Sequence, residues 1–212
     1  MRLSDFYQEC LQIADGALAG ELAKLSELRA VRKGEILYKR GVVPAQVCFL
    51  LQGVVRGFIL DVNGKDITDC IAFRCGEPIL PDGEFTQPAS VTIEALEESQ
   101  VVSIDAATVQ RMLEERHELA PVYRRLLVHG TNRQRALKIV SYQYTAAQRY
   151  RWFLREYPGL IDRIQHKYIA SLLNMTPVTL SKIRRALKEH ADTGELDEIA
   201  VQARECVEGA VE

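Results

Sequence analysis

The sequence predicts an α+β protein with an antiparallel β-roll in its N-terminal half, then a long helix, then a C-terminal helix-turn-helix. Two observations lead to this fold class: short apolar runs separated by Gly and Pro before residue 105, and helical periodicity after it. A third concerns charge. Residues 1–105 hold 10 Lys and Arg against 16 Asp and Glu, residues 106–190 hold 16 against 6, and residues 191–212 hold 1 against 7. The basic middle segment indicates either a polyanion-binding surface or a solvated helical one.

The first 105 residues are predicted to form the roll, after a short helix near residues 4–14. Runs rich in Val, Ile and Phe predict its strands, at residues 34–38, 47–51, 49–62, 65–73, 89–96 and 100–104. Asn63-Gly64 lies between two of these runs and predicts a two-residue hairpin, because both residues tolerate positive φ. Many short strands at this spacing favour an antiparallel roll or barrel.

Residues 106–142 are predicted to be connecting helices, dominated by one long helix from about residue 119 to 142. Its apolar residues recur at helical spacing: Leu119, Val122, Leu126, Leu137 and Val140. This stripe is either buried against the chain's own roll or paired with a second copy of the helix. We favour the pairing, because a long helix that leaves a small roll has little else to cover it. A further helix is expected at residues 145–157, ending before Pro158-Gly159.

Residues 143–190 are predicted to contain a helical hairpin, within the stretch IASLLNMTPVTLSKIRRAL (169–187). Thr176 is placed to cap the second helix, and Pro177 suits its first turn. The face that packs inward holds Leu180, Ile183 and Leu187. At 100° per residue the opposite face holds Val178, Lys182, Arg185 and Glu189, flanked by Ser181 and Lys188.

The outer face of this second helix combines a short apolar residue, a hydroxyl and cations, which is the chemistry that a helix in the major groove of DNA requires. The candidate DNA-binding residues are Thr176, Pro177, Val178, Thr179, Ser181, Lys182, Arg184 and Arg185. Among them Thr176, Thr179 and Arg184 are candidates for the phosphate backbone. Helical hairpins with cations also occur in proteins that never contact DNA, so a protein-interaction module with a vestigial hairpin stays as the alternative.

The order of roll, long helix and helix-turn-helix resembles the bacterial transcription regulators of the cyclic-AMP receptor protein and fumarate–nitrate regulator (Crp/Fnr) family. The resemblance covers roughly residues 20–189 and is most specific in residues 168–187; the segment 34–67 resembles the family's cyclic-nucleotide-binding-like roll. The resemblance implies a cytoplasmic homodimer that is joined through the long helix, binds a two-fold symmetric operator and acts with RNA polymerase.

Two departures from the family pattern concern DNA. Where well-known members carry Arg, Glu and Arg on the recognition helix, this sequence has Pro177, Val178 and Lys182, so its operator should differ from theirs. A β-wing normally follows that helix, whereas residues 191–212 here read as an acidic amphipathic helix or a frayed tail.

The third departure concerns the effector pocket, where the family uses Gly-Glu and an arginine followed by a hydroxyl. Gly76-Glu77 looks like the first pair, but the register counted from Asn63-Gly64 places it at the preceding turn, with Leu80-Pro81 in the pocket position. Ser90 then stands for the hydroxyl and Ala89 replaces the arginine, and no Lys or Arg occurs from residue 75 to 110. Cyclic AMP is therefore not the expected effector. The effector is unknown: the roll responds to an uncharged ligand or is a fixed scaffold.

Other classes of function find less support in the sequence, and we expect neither an enzyme, a metal nor a cofactor. All four histidines lie outside the predicted roll, which argues against a cupin-type metal site. Iron–sulfur sensing needs clustered thiolates, and only Cys10 lies near the N-terminus; haem sensing stays open. Cys70 and Cys75 are either a redox pair or inert strand residues. Without an apolar run of 18 residues or a signal-peptide pattern, a cytoplasmic location without membrane contact is expected.

Overall fold

The computed structural model describes residues 2–80 and 85–191, with side chains as far as Leu187. The chain divides into two compact units, Met1–Ile139 and Val140–Glu212. The acidic helix or tail predicted from residue 191 lies, beyond that first residue, outside the described part of the chain. The predicted domain boundaries at residues 105, 142 and 190 stay predictions.

The first unit is built on two antiparallel four-stranded sheets, which confirms the predicted roll. The strands are β1 (Ser26–Val31), β2 (Ile36–Tyr38), β3 (Gln46–Gln52), β4 (Val55–Leu60), β5 (Asp66–Ala72), β6 (Pro78–Ile79), β7 (Thr92–Ala95) and β8 (Ser99–Asp105). One sheet has the order β1-β8-β3-β6 and the other β2-β7-β4-β5. The helices of this part are α1 (Leu3–Asp5), a π-helical segment (Phe6–Cys10), α2 (Gly16–Lys24), α3 (Ala106–Glu115) and the first part of α4 (Leu119–Gln143).

Two apolar layers explain why some strands are continuous apolar runs. Residues of both sheets, Cys48, Leu50 and Val101 among them, form an inner core. Alternate residues of the same strands, Val47 and Phe49 for example, join the N-terminal helical segments, α3 and the start of α4 in an outer core. Because β3 and β8 are covered on both faces, they do not alternate between apolar and polar residues.

Two local predictions for the roll were incomplete or wrong. The turn at Asn63-Gly64 is not a two-residue hairpin: Asp61 N–H donates to the Lys65 carbonyl at 2.9 Å, and of the turn residues only Gly64 has positive φ, at +77°. Asp61 also accepts bonds from the backbone N–H groups of Asn63 and Lys65, so its side chain stabilises a longer loop. The pattern also did not reveal β1, an edge strand in which only Val31 is fully buried, or the short β6.

The Gly-Val-Val-Arg stretch at residues 53–56 has a structural role. Gly53 has φ +115°, and a Cβ there would overlap the side chain of Ser99, so only glycine fits. The buried Arg56 guanidinium donates to Asp66 and, at 2.6 Å, to Glu94. These bonds link β4, β5 and β7 through one buried arginine and two carboxylates.

The second unit is helical and holds the predicted hairpin. Its helices, after the end of α4, are α5 (Ala146–Glu156), α6 (Leu160–Arg163), α7 (His166–Leu172) and α8 (Pro177–Ala191). Thr145 and Gln148 form a capping box that starts α5, and Gly159, with φ +74°, allows the turn into α6. The predicted helices at 119–142 and 145–157 are therefore confirmed. No helix among the described residues combines the length and apolar character needed to cross a membrane.

Candidate nucleic-acid interface and effector cavity

The turn between α7 and α8 is held by backbone and capping bonds. Met175 N–H donates to the Ala170 carbonyl at 2.9 Å, and Asn174 takes positive φ, at +49°, which asparagine tolerates better than most residues. Thr176 Oγ1 accepts a bond from Thr179 N–H at 3.1 Å, so the predicted cap of α8 is confirmed. The turn therefore fixes the position of α8 against α7 through short-range contacts.

The two faces of α8 differ as the sequence predicts. Leu180 is 0% exposed, and Ile183 and Leu187 are half-buried. On the opposite side Val178 is 64% exposed, and Ser181, Lys182 and Arg185 are exposed as well. Glu189 and Lys188, the other predicted members of this face, lie beyond the described side chains. We call Val178, Ser181, Lys182 and Arg185 the outer face of α8; it presents apolar, hydroxyl and cationic groups to solvent.

The three residues predicted to contact DNA phosphates form internal contacts, and their role towards DNA stays a prediction. Arg184 is half-buried, and its Nη1 lies 2.9 Å from Nδ1 and 2.6 Å from Nε2 of His166. Arg184 also lies near Tyr150 and lowers the pKa of that phenol, while burial raises it by more. Thr176 and Thr179 share a bond between their hydroxyls at 2.8 Å. For Arg184 to bind a phosphate, its guanidinium must turn away from His166, a partner that sequence periodicity did not indicate.

Most of the predicted dimer stripe on α4 packs inward in the described chain. Leu119, Val122 and Leu126 pack in the outer core, and Leu137 and Val140 are also buried. For Leu119, Val122 and Leu126 this is the arrangement of the alternative hypothesis, in which the chain's own roll covers the stripe. The large apolar residues that α4 leaves exposed are Leu127, at 36%, Val128, at 52%, and Tyr142, at 79%. Pairing of α4 with a second copy stays a prediction.

A cavity of about 550 Å³ lies inside the first unit, between the roll and helices that include α4. Most of the residues that line it are apolar, among them Ile71, Leu80, Phe85, Tyr123 and Leu126. Its polar lining residues are Asp69, Ser90, His129, Thr131, Arg133 and Gln134. Among the described residues that line the cavity, Arg133 is the only lysine or arginine. This cation comes from α4, outside the 75–110 segment in which the sequence search found none.

Arg133 is matched by a buried carboxylate. Glu77, whose side chain is 6% exposed, accepts a bond from Arg133 Nη1 at 2.6 Å. Its other oxygen accepts the backbone N–H groups of Phe73, at 2.6 Å, and Arg74, at 3.0 Å. Gly76 has φ +84° and precedes it in the turn, so Gly76-Glu77 lies at a turn of the roll, where the register placed it. Glu77 therefore joins the β5–β6 connection to α4.

The other predicted pocket residues have separate positions. Leu80 and Ser90 line the cavity, while Ala89 is buried, does not line it and exchanges backbone hydrogen bonds with Gly41 and Val42. Pro81 lies outside the described residues. The structure thus brings Leu80 and Ser90 to the same cavity. Arg133 also lines this cavity, but it comes from a helix about 40 residues further along the chain, so no local sequence pattern could predict that it lies there.

Comparison with known proteins gives two kinds of match. Residues 28–116 match the family model of the cyclic nucleotide-binding domain. Among solved structures, FixK2 from Bradyrhizobium japonicum is 18% identical with a TM-score of 0.67, over 80% of this chain and 86% of that one. The regulator CLP from Xanthomonas campestris is 12% identical with a TM-score of 0.62, over 83% and 92%. No curated protein matches the chain in sequence.

A third solved structure is a transcriptional regulator of the CRP family from Thermus thermophilus. It is 20% identical with a TM-score of 0.62, over 77% of this chain and 85% of that one. At these identities the structural matches show a shared fold. Residues 28–116 are therefore similar to the cyclic nucleotide-binding domain, and the chain shares the fold of solved Crp/Fnr transcription regulators.

Proposed function

We propose that this protein is a sequence-specific DNA-binding transcription regulator of the Crp/Fnr type. It acts as a homodimer, together with RNA polymerase, in the bacterial cytoplasm. The observation that carries the proposal is the outer face of α8: Val178, Ser181 and Lys182 are exposed on a helix whose other side is anchored by the buried Leu180. A helix anchored in this way can enter the major groove, where exposed donors reach guanine edges and a small apolar group reaches thymine methyls.

Charge supports a polyanion as the partner. The 106–190 segment carries 16 Lys and Arg against 6 Asp and Glu, and it includes the hairpin. Such a segment supplies the non-specific part of DNA binding by releasing counterions. Specificity then falls to the few outer-face side chains that reach bases, with Lys182 as the residue that retains the family's cationic chemistry.

The test begins with duplexes that the purified full-length protein selects from a random pool. Lys182→Ala should weaken binding to the selected duplex by about 1–3 kcal/mol and relax preference at one base pair in each half-site. Lys138→Ala is the matched control: it removes the same charge from an exposed position on α4. It should weaken binding far less and leave the preference unchanged.

Equal losses for Lys182→Ala on selected and random duplexes would remove Lys182 from base recognition. If the protein selects no sequence and is not retained on DNA at low salt, the hairpin is instead a protein-interaction module.

Dimerisation through α4 forms the second part of the proposal, since a single recognition helix makes only half of the contacts with a two-fold symmetric operator. Val128→Asp places a charge on the exposed apolar part of α4 and should yield monomers in sedimentation analysis. Val42→Asp makes the same change in the roll at matched exposure, 54% against 52%, and should leave the dimer intact. Val128→Asp protein that still sediments as a dimer would place the dimer interface elsewhere.

Cyclic AMP is not the effector in this proposal. The cavity is mostly apolar, and Glu77 already neutralises the charge of its one described arginine, so a cyclic phosphate would lose its hydration beside a cation whose charge is already matched. Calorimetry with cyclic AMP, cyclic GMP and c-di-GMP is expected to show no heat; c-di-GMP is included because CLP is described as responsive to it. A dissociation constant in the low micromolar range, coupled to tighter operator binding, would contradict this part.

A further inference from the structure

Two cysteines that are far apart in the chain meet on the surface of the roll. Cys10 ends the π-helical segment, and Cys75 lies in the β5–β6 connection next to Gly76. A Cβ built on Gly76 would lie 3.0 Å from both the Cβ and the carbonyl oxygen of Cys10, so the two backbones are in close contact. Both thiols are free; Cys75 is exposed and Cys10 is half-buried.

The Cys10 side chain also affects the ionisation of Cys75. Burial, and after it the hydrogen bond and charge of Cys10, raise the pKa of Cys75 to about 12. The sequence-based pairing of Cys75 with Cys70 is therefore replaced by a closer candidate. Cys70 instead points its sulfur at Gly57, where a Cβ would lie 2.7 Å from it.

Both segments that carry these cysteines are bound by the same helix. Arg125 of α4 donates to the carbonyl of Leu11, the residue after Cys10. Arg133 of α4 donates at 2.6 Å to Glu77, two residues after Cys75. A disulfide between Cys10 and Cys75 would thus join two segments that already bind α4. The stability of these contacts with α4 would then depend on whether the two thiols are oxidised.

We propose that Cys10 and Cys75 form a reversible intramolecular disulfide, with a low-molecular-weight dialkyl disulfide of the glutathione type as the oxidant. The Cys10 thiolate attacks one sulfur of the oxidant, forms a mixed disulfide and releases one thiolate. The Cys75 thiolate then attacks the Cys10 sulfur, forms the protein disulfide and releases the second thiolate. Two protein thiols are oxidised, one small disulfide is reduced to two thiols, and the two protons that the protein thiols give up are taken up by the two released thiolates.

The order of the two steps follows from the charges. Burial first, and then the neighbouring Cys10, oppose ionisation of Cys75, and the contribution of Cys10 ends once its sulfur carries the mixed disulfide. Cys75 then ionises more readily and lies beside the sulfur that it must attack. Gly76 is what allows this approach, since any side chain there would push the backbone at Cys10 away. The proposal concerns the first unit alone and does not depend on DNA binding.

The experiment uses the full-length protein equilibrated in buffers of increasing oxidised-to-reduced glutathione ratio. Differential alkylation and peptide mass spectrometry should find a single Cys10–Cys75 crosslink that a reductant reverses. Closing so long a loop should raise the melting temperature by about 5–10 °C. Hydrogen exchange in residues 119–137 of α4 should become slower. Cys75→Ser, a change at an exposed position, should abolish all three effects, whereas Cys70→Ser should retain them.

Three results would overturn the proposal. They are a Cys70–Cys75 crosslink, a stable glutathione adduct on Cys75 without ring closure, and a crosslink only between two chains. A Cys10–Cys75 disulfide that leaves hydrogen exchange in α4 unchanged would show that the disulfide does not stabilise α4. Reduced Cys75→Ser protein with the melting temperature of the reduced unmodified protein shows that its loss of the crosslink is not a general loss of folding.

Discussion

The outer face of α8 and the cavity of the roll each present a cation, and the two cations differ in what already surrounds them. Lys182 is exposed on a face that also carries Val178, Ser181 and a second cation, Arg185. Arg133 has a side chain that is 23% exposed and lies 2.6 Å from the buried carboxylate of Glu77. An exposed cation gains a phosphate partner at little desolvation cost, whereas a buried matched pair must be broken before a new anion can bind.

This difference shows that a cation must be judged by its partners as well as by its position. On charge alone, either region is a candidate for binding an anionic ligand. With the partners included, α8 is suited to the DNA backbone and bases, and the roll is suited to an apolar ligand or to none. Substitutions in one of the two regions, with the other region left unchanged as the reference, test this difference.

The largest expected effect is that of Glu77→Ala on the first unit. The substitution removes the acceptor of two backbone N–H groups and leaves Arg133 without its carboxylate, so the free energy of unfolding should fall by about 3–5 kcal/mol in urea titrations. Glu27→Ala, at an exposed position of β1, should change it by less than about 0.5 kcal/mol. A loss below about 1 kcal/mol for Glu77→Ala would show that the ion pair is not integral to the roll.

The next effect separates the two faces of α8. Leu180→Ala deletes a fully buried side chain and should lower the free energy of unfolding of the second unit by about 2–5 kcal/mol. Val178→Ala, on the outer face, should change it by less than about 0.5 kcal/mol while weakening binding to the selected duplex. Similar stability losses for both variants in a denaturant titration would contradict the division into faces.

A smaller effect is expected in the cavity when charge matching is removed without loss of volume. Glu77→Gln keeps a carbonyl that can accept the N–H groups of Phe73 and Arg74, but it no longer neutralises Arg133. Calorimetry should therefore detect weak cyclic AMP binding, at least about tenfold tighter than to the unmodified protein. Equal, undetectable binding to both proteins would mean that cavity shape, and not the Glu77 charge, excludes the anion.

The smallest effect concerns the cap of α8. Thr176→Ala removes the acceptor for Thr179 N–H and should lower the free energy of unfolding of the second unit by about 1 kcal/mol, measured by urea titration. Ser181→Ala removes a hydroxyl from the exposed middle of the same helix and should cost nothing measurable. If both variants unfold at the same urea concentration as the unmodified protein, the cap contributes little to α8.

The sequence predicted α8 well because the features that place it are local. The cap at Thr176, the helical spacing of Leu180 and Ile183, and the exposed Lys182 all lie within a few turns. The cavity was predicted less well because Arg133 and Glu77 belong to elements that only tertiary packing brings together. The burial of Leu119 against the roll likewise could not be distinguished from a dimer contact, since a helical stripe shows which residues are covered but not by what.

The central claim, sequence-specific binding of DNA, is tested most directly by the affinity of the full-length protein for a selected duplex and for a shuffled duplex of the same composition. The ratio is measured across a series of salt concentrations. We predict that both affinities fall as salt rises and that the selected duplex is preferred by at least about a thousandfold at physiological salt. Equal affinity for the two duplexes, or binding that does not respond to salt, would contradict the account.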